Sequence, residues 1–429
     1  MKLSPLEANS KVKNNTALCL LLILFATLLL HVVIQFGSIG LKLPFFGDFN
    51  MRWKECAYFL KGINPFDALA QNMVIPSIEG LSSASGTVPW AYVLGNVFNP
   101  GFLPYNVALV YGMALYFILP VVAAFFLYGF FKKNYLWQNT KYLFYTTLLV
   151  FLPAQWANAI RFGNQAGPVC CILLIVMCIV DEHPITAGVL FGLAMVKPQV
   201  AAPFFLVFLL QKKHLTAVVS VLVVVFAWVV SFLVTSTPPF QMVVQMLHQG
   251  TSYVGTYTYY GLFDFLDVFA IAPTFILLLD IIAAGIFLLV CYLLLRRFQL
   301  QNNTLIAYSC AAVASTFWFY KQVYDLLVLC VPAVFLFLAF WQSPATQKRI
   351  TAFVITGYLL LSNMMSPVAS RAIAIFLDVD RDIWITPFVK AAERFFYMAV
   401  VVFLIIKAGK SATPEFWQSP VQETKKLIE

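Results

Sequence analysis

The sequence predicts an all-α polytopic membrane protein, and three observations carry that prediction. Of its 429 residues 62% are hydrophobic and only 10% charged, where a soluble domain carries about 25% charged residues. Mean hydropathy is +0.86, and the apolar residues fall into repeated runs of membrane length, about 18 residues or more. The basic residues gather at the ends of those runs, as at Lys132-Lys133, Lys212-Lys213, Arg296-Arg297 and Lys348-Arg349. In a soluble protein a net charge of +9 would suggest a polyanionic partner. Here the positive-inside bias accounts for it, and no nucleic-acid partner is implied.

Taken in order, Lys11 and Lys13 set residues 1–15 in the cytoplasm ahead of a first span, Thr16 to Phe36. No small-residue cleavage site closes that run, so it reads as a retained signal anchor. A long external loop, 37–102, follows. Within it Phe49 to Leu60 forms a short helix lying in the interface plane, with Met51, Tyr58 and Phe59 on its apolar side. Spans are then expected over Leu103 to Phe131, Tyr142 to Ala159 and Ala166 to Val180. Asp181, Glu182 and His183 make a cytoplasmic hairpin, and Pro184 suits the first turn of the next helix. Ile185 to Val196 is short for a crossing, and Pro198 breaks it from the run that ends at Lys212, so the pair reads as a broken helical hairpin sunk into protein.

Leu215 to Leu233 crosses outward again to a second external loop, 236–270, polar and rich in tyrosine. Further spans run over Pro273 to Leu295, Leu305 to Phe319, Leu326 to Trp341, a segment ending at Leu361, and Pro387 to Ile406. The count is about twelve crossings, forming one membrane domain over 16–406, with a cytoplasmic tail at 407–429. Every basic pair then lies on one side of the membrane. The polar residues near the other face include Asp48, Arg52, Arg161, Asn164, Gln165, Lys197, Gln199, His248, Lys321, Tyr324, Asp325 and Arg371.

Seven of the eight cysteines lie inside apolar runs, where they act as small hydrophobes, and only Cys56 sits in the first polar loop. Their spacing gives neither a disulfide framework nor a zinc motif. Asp378, Asp380 and Asp382 alternate as a divalent-metal loop does, but Arg381 is interleaved and a solvated loop is the simpler reading. No phosphate loop or dinucleotide fingerprint is present, so no cofactor or metal is expected.

Charge in so apolar a chain calls for a cause. Asp48, preceded by Gly47 and two phenylalanines, suits a general base that takes a hydroxyl proton at short range. It equally suits a loop acid at the head of the Phe49 helix. Arg161 and Lys197 are costly at helix ends in a membrane unless they are paired, snorkel, or hold an anion such as a phosphate diester. Lys321 and Asp325 stand one helical turn apart and either pair with each other or line the same site. The tyrosines 253 to 260, Tyr257 among them, suit an interfacial belt or stacking against sugar and prenyl groups.

With these residues placed, the chain resembles the C-type membrane glycosyltransferases, in particular glycosyltransferase family 87, which includes polyprenyl-phosphomannose-dependent mannosyltransferases of bacterial envelopes. The matching stretches are Gly47-Asp48-Phe49, Gly62-Ile63-Asn64-Pro65-Phe66, Arg161-Phe162-Gly163-Asn164-Gln165, Gly188 to Ala194 leading into Lys197-Pro198, and Tyr324-Asp325-Leu326-Leu327. The resemblance implies a GT-C fold with external juxtamembrane helices. It also implies transfer of a mannose-like sugar from a polyprenyl phosphate to a hydroxyl of a glycan or glycolipid acceptor, on the extracytoplasmic side of a bacterial plasma membrane. Asp48 becomes the catalytic base, and direct displacement implies inversion. Arg161, Lys197, Lys321 and Arg371 become the cations for the leaving phosphate, with no metal. Asn164, Gln165, Gln199, His248, Tyr257, Tyr324 and Asp325 become substrate contacts. The alternative is a transporter or flippase of a lipid-linked sugar that uses the same cavity without chemistry.

Overall fold

The computed structural model describes residues 47–76, 78, 80–81, 88–135, 154–251, 262–263, 266, 269, 271–318, 323–332 and 386–409. The first expected span, residues 1–46, most of the tail, Tyr257, Lys321, Arg371 and the Asp378 to Asp382 run lie outside the described residues. Among the described residues the protein is helical. Its α-helices are α1 (Gly47–Leu60), α2 (Pro65–Ala70), α3 (Ala91–Leu94), α4 (Tyr105–Tyr135), α5 (Ala154–Phe162), α6 (Ala166–Ile179), α7 (Pro184–Ala194), α8 (Pro198–Leu210), α9 (His214–Thr235), α10 (Pro239–Thr251), α11 (Pro273–Arg297), α12 (Thr304–Ala314) and α13 (Thr386–Gly409), with a 3₁₀ segment at Val323–Leu329.

Three of the described helices, α4, α9 and α11, are long and apolar enough to cross a membrane. The remaining predicted crossings fall on shorter helices, on α13, whose 24 residues include Lys390, Glu393 and Arg394, or outside the described residues. The short ones position the site. At a rise of about 1.5 Å per residue, α6, α7 and α8 reach only about 17–21 Å, against a hydrocarbon core of about 30 Å. All three share one end with the charged connections. Lys133 at the end of α4 pairs with Glu182 at 2.6 Å, and Lys213 before α9 pairs with Asp181, so the connections 181–183 and 211–213 and the end of α4 lie together. From that shared end α6, α7 and α8, with 14, 11 and 13 residues, are shorter than α4 and α9, with 31 and 22.

Small residues allow this inner bundle to close. Gly188 and Gly192 lie one turn apart on the face of α7 turned to α9. A Cβ on Gly188 would stand 2.7 Å from that of Val219, and one on Gly192 would stand 2.6 Å from that of Val223. Without a hydrophobic drive between helices in lipid, such close backbone approach supplies the packing energy. α4 packs on α6, α8 on α12, and α12 on α11 and α13. Intramembrane acids are satisfied locally. Asp280 in α11 is fully buried, and its Oδ1 accepts the backbone N–H groups of Leu262 and Phe263 at 3.0 Å each. In α13 the buried Arg394 lies 3.7 Å from Glu393 and over the Tyr397 ring.

Two expectations are corrected. The helix at 47–60 forms, but Tyr58 and Phe59 of its expected membrane-facing side are buried against other helices. Phe49, Trp53, Glu55, Cys56, Ala57, Tyr58 and Phe59 are all covered, because apolar residues occupy most of its circumference and α3, α4 and α9 pack around it. The 236–270 loop is helical over α10. There Met242 and Gln245 face inward, Gln245 bridging Asn64 and Asp67 of the α2 region at 3.0 and 2.8 Å, while Phe240, Val244 and Leu247 are exposed.

Candidate active site

α1 is clamped before it can present Asp48. Phe49 inserts its ring against Gly112 of α4, where a Cβ would come within 2.2 Å of it. Gly101 lies against the α1 backbone so closely that a Cβ would stand 2.4 Å from the Ala57 nitrogen. The Trp53 indole donates to the Leu103 carbonyl at 3.1 Å. Asp48 thereby sits half-buried in the first turn of α1. Cys56 belongs to this packing. Burial, reinforced by the neighbouring Glu55 carboxylate and only partly offset by Arg52, pushes its thiol up and leaves no reactive thiolate.

A second element meets Asp48 from the turn between α5 and α6. Gly163 takes φ +63°, the left-handed conformation that ends a helix at little cost in glycine. The Asn164 N–H reaches back to the Ala159 carbonyl and the Gly163 N–H to that of Ile160. The turn aims the Asn164 side chain so that Nδ2 donates to Asp48 Oδ2 at 2.6 Å, while Oδ1 accepts the Ala166 N–H at 3.0 Å. Next to it the Gln165 amide donates to Asn99 Oδ1 at 2.7 Å, with both residues buried.

The third element is the break between α7 and α8. Lys197 precedes Pro198, which holds it out of the helical conformation, at φ −126° and ψ 75°, and opens α8 at its first position. Two indoles satisfy the irregular backbone, Trp90 donating to the Met195 carbonyl at 2.8 Å and Trp318 to that of Gln199 at 2.6 Å. Lys197 is 4% exposed, and its ammonium lies 2.5 Å from Asn164 Oδ1 and 2.5 Å from Asp325 Oδ1. Asp325 comes from the 3₁₀ segment, which packs on α5 and α6. Both the Lys197 break and Asp325 therefore lie behind Asn164, with Asp48 in front.

Sequence order alone did not give Arg52 a role. It stands one turn after Asp48 on the same helix, ion-paired to the buried Glu55 at 3.3 Å and within electrostatic reach of Lys197. The i, i+4 spacing of Asp48 and Arg52 was the available signal. Tyr116 of α4, also unassigned, lies within electrostatic reach of Asp48.

The structure thus brings Asp48, Asn164, Lys197 and Asp325 together. Arg161 is half-buried two residues before Gly163, its guanidinium 5.2 Å from the Phe162 ring centroid. The Gln199 side chain is half-buried at the start of α8, Tyr324 falls in the 3₁₀ segment, and His248 is exposed on α10. Asp325 forms an ion pair with Lys197, which approaches it from the α7–α8 break; Lys321, its other candidate partner, lies outside the described residues. No cluster of three His, Cys, Asp or Glu side chains suited to a metal occurs among the described residues.

A half-buried carboxylate, an oriented amide and a buried lysine–aspartate pair, set where short apolar helices end, form a polar site inside a helical integral-membrane protein. That arrangement is consistent with the C-type glycosyltransferase architecture. The sequence profile of glycosyltransferase family 87 matches residues 89–320, more than half of the chain, and the chain belongs to that family. It is accordingly an enzyme of sugar transfer. Asn164 and Lys197 fall inside the matched stretch, whereas Asp48 and Asp325 fall outside it. No curated protein and no solved structure matches the chain.

Proposed function

We propose that the protein transfers a mannose-like sugar from a polyprenyl phosphate to a hydroxyl of a glycan or glycolipid acceptor, with inversion, on the extracytoplasmic face of a bacterial plasma membrane. The observation that carries this reading is a carboxylate and cations gathered at the ends of short apolar helices. Charges among membrane helices are costly unless they pair or handle a charged ligand, and a lipid-linked donor brings its phosphate to such a site while its chain stays among lipids. Lys133 and Lys213, gathered at the opposite end, support the cytoplasmic assignment of that end under the positive-inside rule.

In this reading Asp48 takes the proton from the acceptor hydroxyl. The hydroxyl oxygen forms its bond to the anomeric carbon as the bond from that carbon to the phosphate oxygen breaks, and the electron pair leaves with the polyprenyl phosphate. Arg52 and Arg161 balance the departing charge, Lys197 adds its field from behind Asn164, and Lys321 and Arg371 are further proposed cations for the phosphate. Gln199, His248, Tyr257 and Tyr324 are the proposed sugar and acceptor contacts. Fixed cations make a metal unnecessary for a monophosphate leaving group.

The test is stereochemical. With a synthetic donor of defined anomeric configuration, the product is expected to carry the opposite configuration, and turnover is expected to persist in chelator. Retention of configuration would point to a covalent intermediate and remove the single-base scheme.

A further inference from the structure

The Asn164 side chain has only one workable orientation. An amide presents an acceptor at one end and donors at the other. Its Oδ1 meets the Lys197 ammonium at 2.5 Å and the Ala166 N–H at 3.0 Å. A flipped amide would turn its NH₂ group against both donors, so Nδ2 must face Asp48, where it donates to Oδ2 at 2.6 Å. The ammonium that enforces this is itself held by Asp325, 1% exposed, at 2.5 Å. A charged pair is not the most stable filling for an apolar interior. Hydrophobic residues of similar volume often hold such a place equally well.

We infer that Asp325 is a positioning residue for transfer: through Lys197 it locks the Asn164 amide, which engages one oxygen of Asp48 and leaves the other for the acceptor hydroxyl. The inference rests on the reading of Asp48 as the base. It gives Lys197 and Asp325 a task in the chemical step and not in donor capture. It also makes the three residues one device, since the hydrogen-bonded path from Asp325 and Lys197 to Asp48 runs through Asn164.

A mutant cycle on the purified full chain tests this. Labelled mannose is followed from synthetic polyprenyl phosphomannose to an envelope glycolipid extract, and kcat and donor KM are measured separately. Replacing both charges together, as Lys197→Met with Asp325→Leu, avoids leaving either one buried alone. Lys197→Gln with Asp325→Asn serves if that protein does not fold. The charge-free protein is expected to lose about 10–100-fold in kcat, the scale of an ångström-level misplacement, with donor KM unchanged. Asn164→Ala is expected to lose a similar factor. The triple variant should be no worse than Asn164→Ala alone, because residues acting as a unit are non-additive. Losses that multiply in the triple variant would overturn the inference, as would a rise in donor KM at unchanged kcat, which would make Lys197 a phosphate contact. Asp48→Asn runs alongside. If it stays active, the base reading fails and this inference with it. If it is inactive while the losses multiply, the inference alone fails.

Discussion

Asp48→Asn is expected to lower turnover by about 10²–10⁴-fold, the usual contribution of a general base, while donor binding persists. The substitution is mild where structure is concerned. An amide oxygen at the same place still accepts the N–H of Asn164, which meets Asp48 at 2.6 Å, and the clamps on α1 through Phe49, Trp53 and Gly101 are untouched. What is lost is the ability to take a proton. Donor binding by the purified variant, set beside its turnover, checks this. A fall in kcat with intact binding places Asp48 in the chemical step, whereas equal loss of both would mark it as part of the binding surface.

The second large effect is expected far from the chemistry. Gly101→Ala puts a methyl group 2.4 Å from the Ala57 nitrogen and 2.6 Å from the Cys56 carbonyl carbon. Both are backbone atoms, which cannot rotate away. The 96–103 segment is also held in place, since the Gly101 N–H donates to Asn96 Oδ1 at 3.0 Å and the Leu103 carbonyl accepts from Trp53. α1 must therefore shift, at a cost of about 1–3 kcal/mol for overpacking. The shift is carried along the helix to Asp48, and a displacement of about 1 Å is enough to cost about 10²-fold in rate. Thermal unfolding and kcat are expected to fall together. Gly129→Ala is the control: it lies on α4 where an added Cβ meets nothing, and it should leave both unchanged.

Where the sequence was readable, local chemistry explains why. Pro184 and Pro198 open α7 and α8, and the basic pairs end the apolar helices, because these signals act within a turn or two of where they occur. The helix at Gly47–Leu60 was legible for the same reason, though its burial was not. Whether an aromatic helix lies on a membrane or under other helices depends on α3, α4 and α9, and nothing in its own residues records them. Part of the 236–270 loop passed for irregular chain although Phe240, Val244 and Leu247 repeat at helical spacing, because the tyrosines beyond it dominate the stretch.

The site was half legible. Asp48, Asn164, Lys197 and Asp325 each stood out as polar residues at the ends of apolar runs. Their convergence did not. Asn164 meets Asp48 across 116 residues of chain and Lys197 across 33, and such pairings are decided by packing. Asp325 shows the limit most plainly. Its spacing from Lys321 is a local signal, whereas its ion pair with Lys197, 128 residues away on another helix pair, leaves no mark in the spacing.

The central claim is that the donor is a lipid-linked phosphate sugar which is consumed in a reaction. The most direct measurement is transfer by the purified wild-type protein, with labelled polyprenyl phosphomannose and a nucleotide-linked mannose offered separately beside an envelope glycolipid extract. The account predicts labelled glycolipid and free polyprenyl phosphate from the first donor, and no product from the second. Product from the nucleotide sugar alone would contradict it. So would saturable binding of the lipid donor that moves it across vesicles without ever releasing polyprenyl phosphate.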